Sequence, residues 1–247
     1  MDYTKDYLLD KKLTILQPQD GYRAAIDAVF LASIINAENV KNDAKILDVG
    51  SGTGAVSLCL AYRLKQKQPQ ITGLEIQEEL VELSNKSSKE NDFDTFLHYE
   101  VCDIRQKRNE GAGSFDIVIT NPPYSDHDMP SPNESKKLAH NHQNFDLTAW
   151  LSFSLKMLKP KGYMALINRT EALNEILAAM HNKAGNIQIL PLYSKQGQLA
   201  KRVIVIAQKG SHGSTSILSP LYTHNNTGEY SDSAEQILRA AKGYFEL

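Results

Sequence analysis

The stretch Ile46-Leu-Asp-Val-Gly-Ser-Gly-Thr-Gly-Ala55 leaves few folds open to the rest of the chain. Lys45–Val49 has the length and apolar character of a buried strand. Gly50, Gly52 and Gly54 follow at alternate positions, and Val56, Leu60 and Leu64 then recur at helical spacing over Ala55–Lys67. Strand, glycine turn and helix in that order open a βαβ unit, and a turn without Cβ atoms lets a ligand approach the backbone closely. The spacing is G-x-G-x-G. It is neither the G-x-G-x-x-G of dinucleotide sites nor the G-K-[ST] of a phosphate-binding P-loop.

The chain continues as that unit requires. Short apolar runs at Ile71–Leu74, Phe96–Val101, Phe115–Thr120 and Tyr163–Asn168 predict strands, with Ile187–Tyr193 and Arg202–Gln208 as a closing pair. Helical spacing separates them at Glu78–Asn91, Asp146–Leu158 and Glu171–His181. Such alternation predicts an α/β fold with a mostly parallel, doubly wound sheet. Residues 1–44 read as a polar lead, a strand at Leu13–Leu16 and a helix starting near Asp27, which Asp27 caps. Residues 211–247 end in a helix opened by the capping-box spacing of Asp232 and Glu235. With 247 residues and 41% hydrophobic composition, the chain is large enough for one α/β domain. Its longest apolar stretch, Ala24 to Ala37, is too short to span a bilayer and contains Asp27, and no signal-peptide core precedes it. A cytoplasmic location is expected. Two cysteines, Cys59 and Cys102, in apolar contexts suggest buried thiols, and no Cys/His cluster has metal-ligand spacing.

Acids at the strand ends say what the turn would hold. Asp48, inside the first strand, would repel a pyrophosphate but suits a cationic amino group, such as that of S-adenosylmethionine (AdoMet). Glu75 ends the second strand, 21 residues after Gly54, where a carboxylate can accept both hydroxyls of a ribose. Asp103 follows the third strand and can reach an adenine amino group. The span Lys45–Gln208 resembles the class I AdoMet-dependent methyltransferases. That resemblance implies a Rossmann-like, seven-stranded, mostly parallel sheet with helices on both faces and one antiparallel strand. It places Gly50, Gly52 and Gly54 beneath the methionine part, Glu75 at the ribose and Asp103 at the adenine, with Ile76 and Ile104 also in the cofactor site. Arg23 is assigned to the AdoMet carboxylate and Asp27 to the same cofactor site. The chain is then one methyltransferase domain, with a core at 45–210 and extensions at 1–44 and 211–247.

Asn121-Pro122-Pro123-Tyr124 follows the fourth strand. Two prolines end a central strand and turn the chain out at the carboxyl edge, where open α/β sheets bind ligands. An amine conjugated to a ring is a weak nucleophile. The Asn121 side-chain oxygen and the Pro122 carbonyl can each accept one of its N–H bonds and align it, while Tyr124 offers a ring for stacking. The motif resembles that of amino methyltransferases acting on adenine N6 or on a glutamine amide. Gly21–Ala32 and Ile189–Gly210 resemble the bacterial valine-type tRNA adenine-N6-methyltransferases. This implies N6-methylation of adenine in RNA, most simply tRNA, by a chain expected to be monomeric. Alternatives are glutamine N5-methylation of release factors, DNA adenine methylation, and non-catalytic AdoMet or RNA binding.

The formal net charge of −2 argues against binding nucleic acid through bulk charge. However, Ile176–Gly228 contains no acid, and within it Lys195, Lys201, Arg202 and Lys209 are expected to contact RNA phosphates. Trp150 reads as a core residue. The polar segment Ser125–Asn144 reads as a loop able to close over a flipped base.

Overall fold

The computed structural model describes residues 2–20, 23–106, 110–123 and 146–247. The glycine turn joins β3 (Lys45–Val49) to α2 (Ala55–Leu64), and a 3-10 turn continues that helix through Lys67. β4 (Gln70–Glu75), α3 (Glu78–Glu90), β5 (Leu97–Val101) and β6 (Phe115–Thr120) follow. Next come α4 (Leu147–Met157), β7 (Leu158–Arg169), α5 (Leu173–Met180), β8 (Ala184–Tyr193) and β9 (Arg202–Lys209). The sheet runs β8-β9-β7-β6-β3-β4-β5, and only β9 is antiparallel to its neighbours. This is the seven-stranded core expected from the sequence. Two two-residue strands, β10 (Ser216–Ile217) and β11 (Leu221–Tyr222), add parallel to the outer edge of β8.

Alternation along the strands divides the core by face. Ile46, Ile117, Ile119, Ala165, Ile167, Ile204 and Ile206 point toward α1 (Ile26–Ser33), α2 and α3. Leu47, Val49, Val118, Leu166, Val203 and Val205 point toward α4 and α5. Every one of these residues is buried, as a doubly covered sheet requires.

The terminal extensions depart from the sequence reading in three ways. The lead is a strand, not a coil: β1 (Tyr3–Leu8) pairs antiparallel with β2 (Leu13–Pro18). Its one-sided packing, with Tyr3 and Tyr7 exposed, explains why its periodicity was weak. α3 covers the other edge of β2, where Leu16 N–H donates to Ser87 Oγ and Thr14 exchanges bonds with Asn91. Asp27 does not cap α1, whose N-cap is Ala25 with no side-chain bond. The last helix, α6 (Asp232–Leu238), is capped by Ser231 Oγ on the Ala234 N–H, one residue before the expected Asp232. No helix among the described residues is long and apolar enough to cross a membrane.

Arg63, in the last turn of α2, ties the extensions to the core. Its guanidinium donates to Ala32 O at 2.6 Å, Ile35 O at 3.0 Å, Ala241 O at 3.2 Å and Glu246 Oε1 at 3.3 Å. The first two acceptors are carbonyls at and just beyond the end of α1, where a cation is favoured. The side chain is only 4% exposed, so removing it strands several acceptors away from water. Arg63→Met is expected to cost about 2–4 kcal/mol, read as a fall in urea midpoint. Cleavage in the final seven residues should become faster under limited proteolysis.

Candidate functional site

The parallel register sets the ends of β4, β3 and β6 side by side: Leu74 lies opposite Val49, and Val49 opposite Thr120. Gly50, Glu75 and Asn121 therefore emerge together at the carboxyl edge. Gly50, Gly52 and Gly54 all have positive φ, at 71°, 56° and 83°. The Gly50 and Ser51 N–H groups both donate to Leu74 O, at 2.8 and 2.9 Å. Gly52 N–H donates to Glu75 Oε2 at 3.0 Å, and Glu75 Oε1 accepts from the Gln77 N–H at 2.9 Å. Gln77 Nε2 also donates to Oε1, at 3.4 Å, so of the roughly four acceptor positions of an ionised carboxylate the vacant one lies on Oε2.

Two aromatic rings wedge this turn from opposite faces of the sheet. A Cβ on Gly50 would lie 2.6 Å from the Trp150 indole, and one on Gly54 would lie 2.3 Å from the Tyr99 hydroxyl. Trp150 Nε1 donates to Thr120 Oγ1 at 2.9 Å, and that hydroxyl donates to Val49 O at 2.7 Å. Tyr99 lies across Gly73 and donates to Gly54 O at 3.2 Å. Gly52 differs from its two neighbours, since nothing lies within 4 Å of its missing Cβ. The turn is closed at both ends and open in the middle. Trp150 is thus more than the core residue its helical spacing suggested, for it braces Gly50 against the strand that delivers Asn121. Neither ring could be assigned from sequence, since each contact joins residues far apart along the chain.

Three buried side-chain polar atoms among the described residues have no hydrogen-bond partner: Asp48 Oδ1, Ser51 Oγ and Asn121 Oδ1. All three belong to this edge. Asp48 is 1% exposed, and its other oxygen accepts from Ser57 Oγ on α2. Burial, reinforced by the negative charge of Glu75, pushes the Asp48 carboxyl up to about 7. Pro122 is buried beside Asn121, while Tyr124 and the segment 125–144 lie outside the described residues.

Other candidates are placed differently from the sequence reading. Asp103 takes four bonds: Oδ1 accepts from the Arg105 N–H and Nε, and Oδ2 from Arg105 Nη2 and Gln106 Nε2. Those bonds, Arg105's above all, hold its carboxyl down to about 2. Ile76 is 38% exposed at the end of β4, and Ile104 packs partly buried on the α4 side. Arg23 bonds to Thr4 Oγ1 and Pro18 O and pairs with Asp6, so it closes the terminal hairpin rather than the turn. Asp27 accepts from Arg202 Nε at 3.0 Å. The expected phosphate contacts divide between two edges. Arg202 begins β9 at the carboxyl edge, with Lys195 and Lys201 in the loop before it. Lys209 ends the same strand about 23 Å away. Its ammonium donates to Leu158 O and Lys156 O at the opposite edge of the sheet from the other three.

Residues 40–219 match the family model described as a methyltransferase domain. Among curated proteins, the tRNA1(Val) (adenine(37)-N6)-methyltransferase of Glaesserella parasuis is 29% identical over 182 residues, covering 72% of this chain and 73% of its own. The protein of the same name from Dyadobacter fermentans is 26% identical over 223 residues, covering 88% and 89%. Among solved structures, a chain from Agrobacterium tumefaciens titled a predicted O-methyltransferase superposes with a TM-score of 0.71 at 23% identity. That superposition covers 88% of this chain and 98% of the other, and it carries the fold alone. The wedged glycine turn, the seven-stranded order with its one reversed strand and the matched span together assign this chain to the methyltransferase domain family, on the class I fold.

Proposed function

We propose that the chain transfers a methyl group from AdoMet to the exocyclic N6 amine of an adenine in tRNA. The observation that carries this reading is Asn121 Oδ1, a buried acceptor with no partner beside the glycine turn. An unmet buried acceptor costs about 1–3 kcal/mol, and an arriving N–H donor offsets that cost. AdoMet fits the same edge. Asp48 Oδ1 is an unpartnered carboxyl oxygen that a cationic amino group would hold ionised, Glu75 Oε2 has acceptor room for a ribose hydroxyl, and Gly52 leaves open space. When bound, AdoMet supplies an electrophilic methyl group on a sulfonium.

The chain's own residues then deal with the amine. Asn121 Oδ1 and the Pro122 carbonyl accept its two N–H bonds, which fixes the nitrogen and aims its lone pair. Hydrogen bonding to both protons raises electron density on nitrogen, so no strong base is needed before attack. Trp150 and Thr120 hold the strand end from which Asn121 projects. Tyr124 is assigned to stacking. Lys195, Lys201 and Arg202 supply positive charge at the edge where RNA would arrive. The names of the curated relatives favour tRNA over a glutamine amide or DNA, and such an enzyme works in the cytoplasm.

Incubation with labelled AdoMet and total tRNA, total protein or DNA tests the substrate. Label in tRNA, recovered as N6-methyladenosine, is expected, and label confined to a release factor overturns the reading. Asn121→Ala should lower methyl transfer by at least about 100-fold while leaving AdoMet affinity within about threefold. Wild-type turnover in that variant would remove Asn121 from the mechanism.

Asp48 gives a pH dependence. Its carboxyl titrates near 7 when folded and near 3.9 in an unfolded chain. The free protein therefore loses stability from this group as pH rises through that window, with no further loss above about 7. A cationic amino group favours the carboxylate, so AdoMet binding should tighten as pH rises through the same window. The expected slope is at most about tenfold per pH unit. Titration calorimetry between about pH 5.5 and 8 should show it. Asp48→Asn should weaken binding and flatten the profile; an equally steep profile in that variant would assign the titration elsewhere.

A further inference from the structure

Arg169 ends β7 and Arg202 begins β9, and the antiparallel register sets the two directly opposite each other. Directly opposed residues of an antiparallel pair project to the same face. The side they occupy follows from the alternation. Ala165 and Ile167 lead to Arg169, Ile206 and Ile204 to Arg202, Ile117 and Ile119 to Asn121, and Ile46 to Asp48. Each of those apolar residues lies in the core cluster facing α1 and α2. Both arginines therefore share a face with Asn121 and Asp48. Asp27 reaches over from α1 on that side and takes Arg202 Nε. Among the described neighbours in sequence, Glu171 is an exposed acid after Arg169, and Lys201 is an exposed cation before Arg202.

The register also sets the spacing. Thr120 lies opposite Leu166, so Asn121 falls beside Ile167, and Arg169 is two residues further along the neighbouring strand. Two residues along and one strand across is about 8 Å, comparable to the reach of a base with its ribose. A nucleotide whose amine sits at Asn121 would bring its phosphate toward the arginine pair. Guanidinium forks match phosphate oxygens two at a time.

We propose that Arg169 and Arg202 grip the phosphodiester of the nucleotide whose amine lies at Asn121, selecting an amine carried on a polynucleotide over a glutamine amide. This rests on the adenine-methylating reading above. Arg169 was absent from the sequence-derived candidates, because it lies outside the acid-free stretch and its partner is 33 residues away.

The test is steady-state methylation of tRNA by Arg169→Gln and Arg169→Lys across a salt series, with AdoMet affinity measured alongside. Arg169→Gln should raise KM for tRNA on the order of tenfold, with most of the loss in KM rather than kcat. The slope of log KM against log salt should fall by about one. Arg169→Lys should recover the salt slope and only part of the KM, since it keeps the charge but not the fork. AdoMet affinity should match wild type in both. An unchanged KM and salt slope in Arg169→Gln, with wild type methylating tRNA, overturns the grip and leaves the adenine reading standing. Should Arg169→Gln lose AdoMet binding, Arg169→Lys decides, and wild-type KM in it overturns the fork. Absence of methyl transfer to RNA by wild type removes both readings together.

Discussion

Two ring-on-glycine contacts hold the carboxyl edge of the sheet in place. Trp150 comes from the α4 side and Tyr99 from the α2 side, and each fills the volume that a Cβ at Gly50 or Gly54 would need. Between the two clamped glycines, nothing lies within 4 Å of the missing Cβ of Gly52. The Trp150 clamp extends further. Its bond to Thr120, and that residue's bond to Val49 O, lock the ends of β6 and β3 to one another. The glycine turn and the strand end that carries Asn121 are thereby held in register through one hydroxyl. Orientation of two reactants within a fraction of an ångström is where such a site gains most of its rate.

Rigidity at this edge explains how it tolerates unmet polar groups. Asp48, Ser51 and Asn121 each bury an atom without a partner, a cost that a pliable edge would shed by rearranging. Here β3 is flanked by β4 and β6 and covered on both faces, so Asp48 has nowhere to turn except toward Ser57. The result is a carboxyl pushed up toward neutrality, poised to ionise beside a cation.

The fold was legible because period-two and period-3.6 patterns survive wherever an element is buried. β3 and β6 have the bounds their apolar runs indicate, and the reversed β9 was expected from the class resemblance. Legibility fails where packing is one-sided or where a side chain has a choice of partners. β1 was read as a polar lead because its tyrosines remain exposed. Strand-end position and the class resemblance point Asp103 to an adenine and Arg23 to a carboxylate, and the sequence does not show that Arg105 pairs with Asp103 or that Asp6 pairs with Arg23 across the hairpin. Which opposite charge such a group meets depends on how the fold brings the chain together, and residue type does not say. Asp48 and Asn121 each keep one oxygen without a hydrogen-bond partner at the strand ends.

The direction of one strand decides what the basic segment can do. Read linearly, Lys195, Lys201, Arg202 and Lys209 form one positive stretch, but β9 runs against its neighbours. An antiparallel strand begins at the edge where the parallel ones end. That reversal brings the loop before β9 to the carboxyl edge and carries Lys209 to the far side, onto the carbonyls that end α4 and begin β7. A parallel strand in that place would have started at the amino edge and left the carboxyl edge without Arg202. The reversed strand thus gives the class I sheet an extra loop and an extra cation at its active edge, which a strictly parallel sheet of the same length would lack.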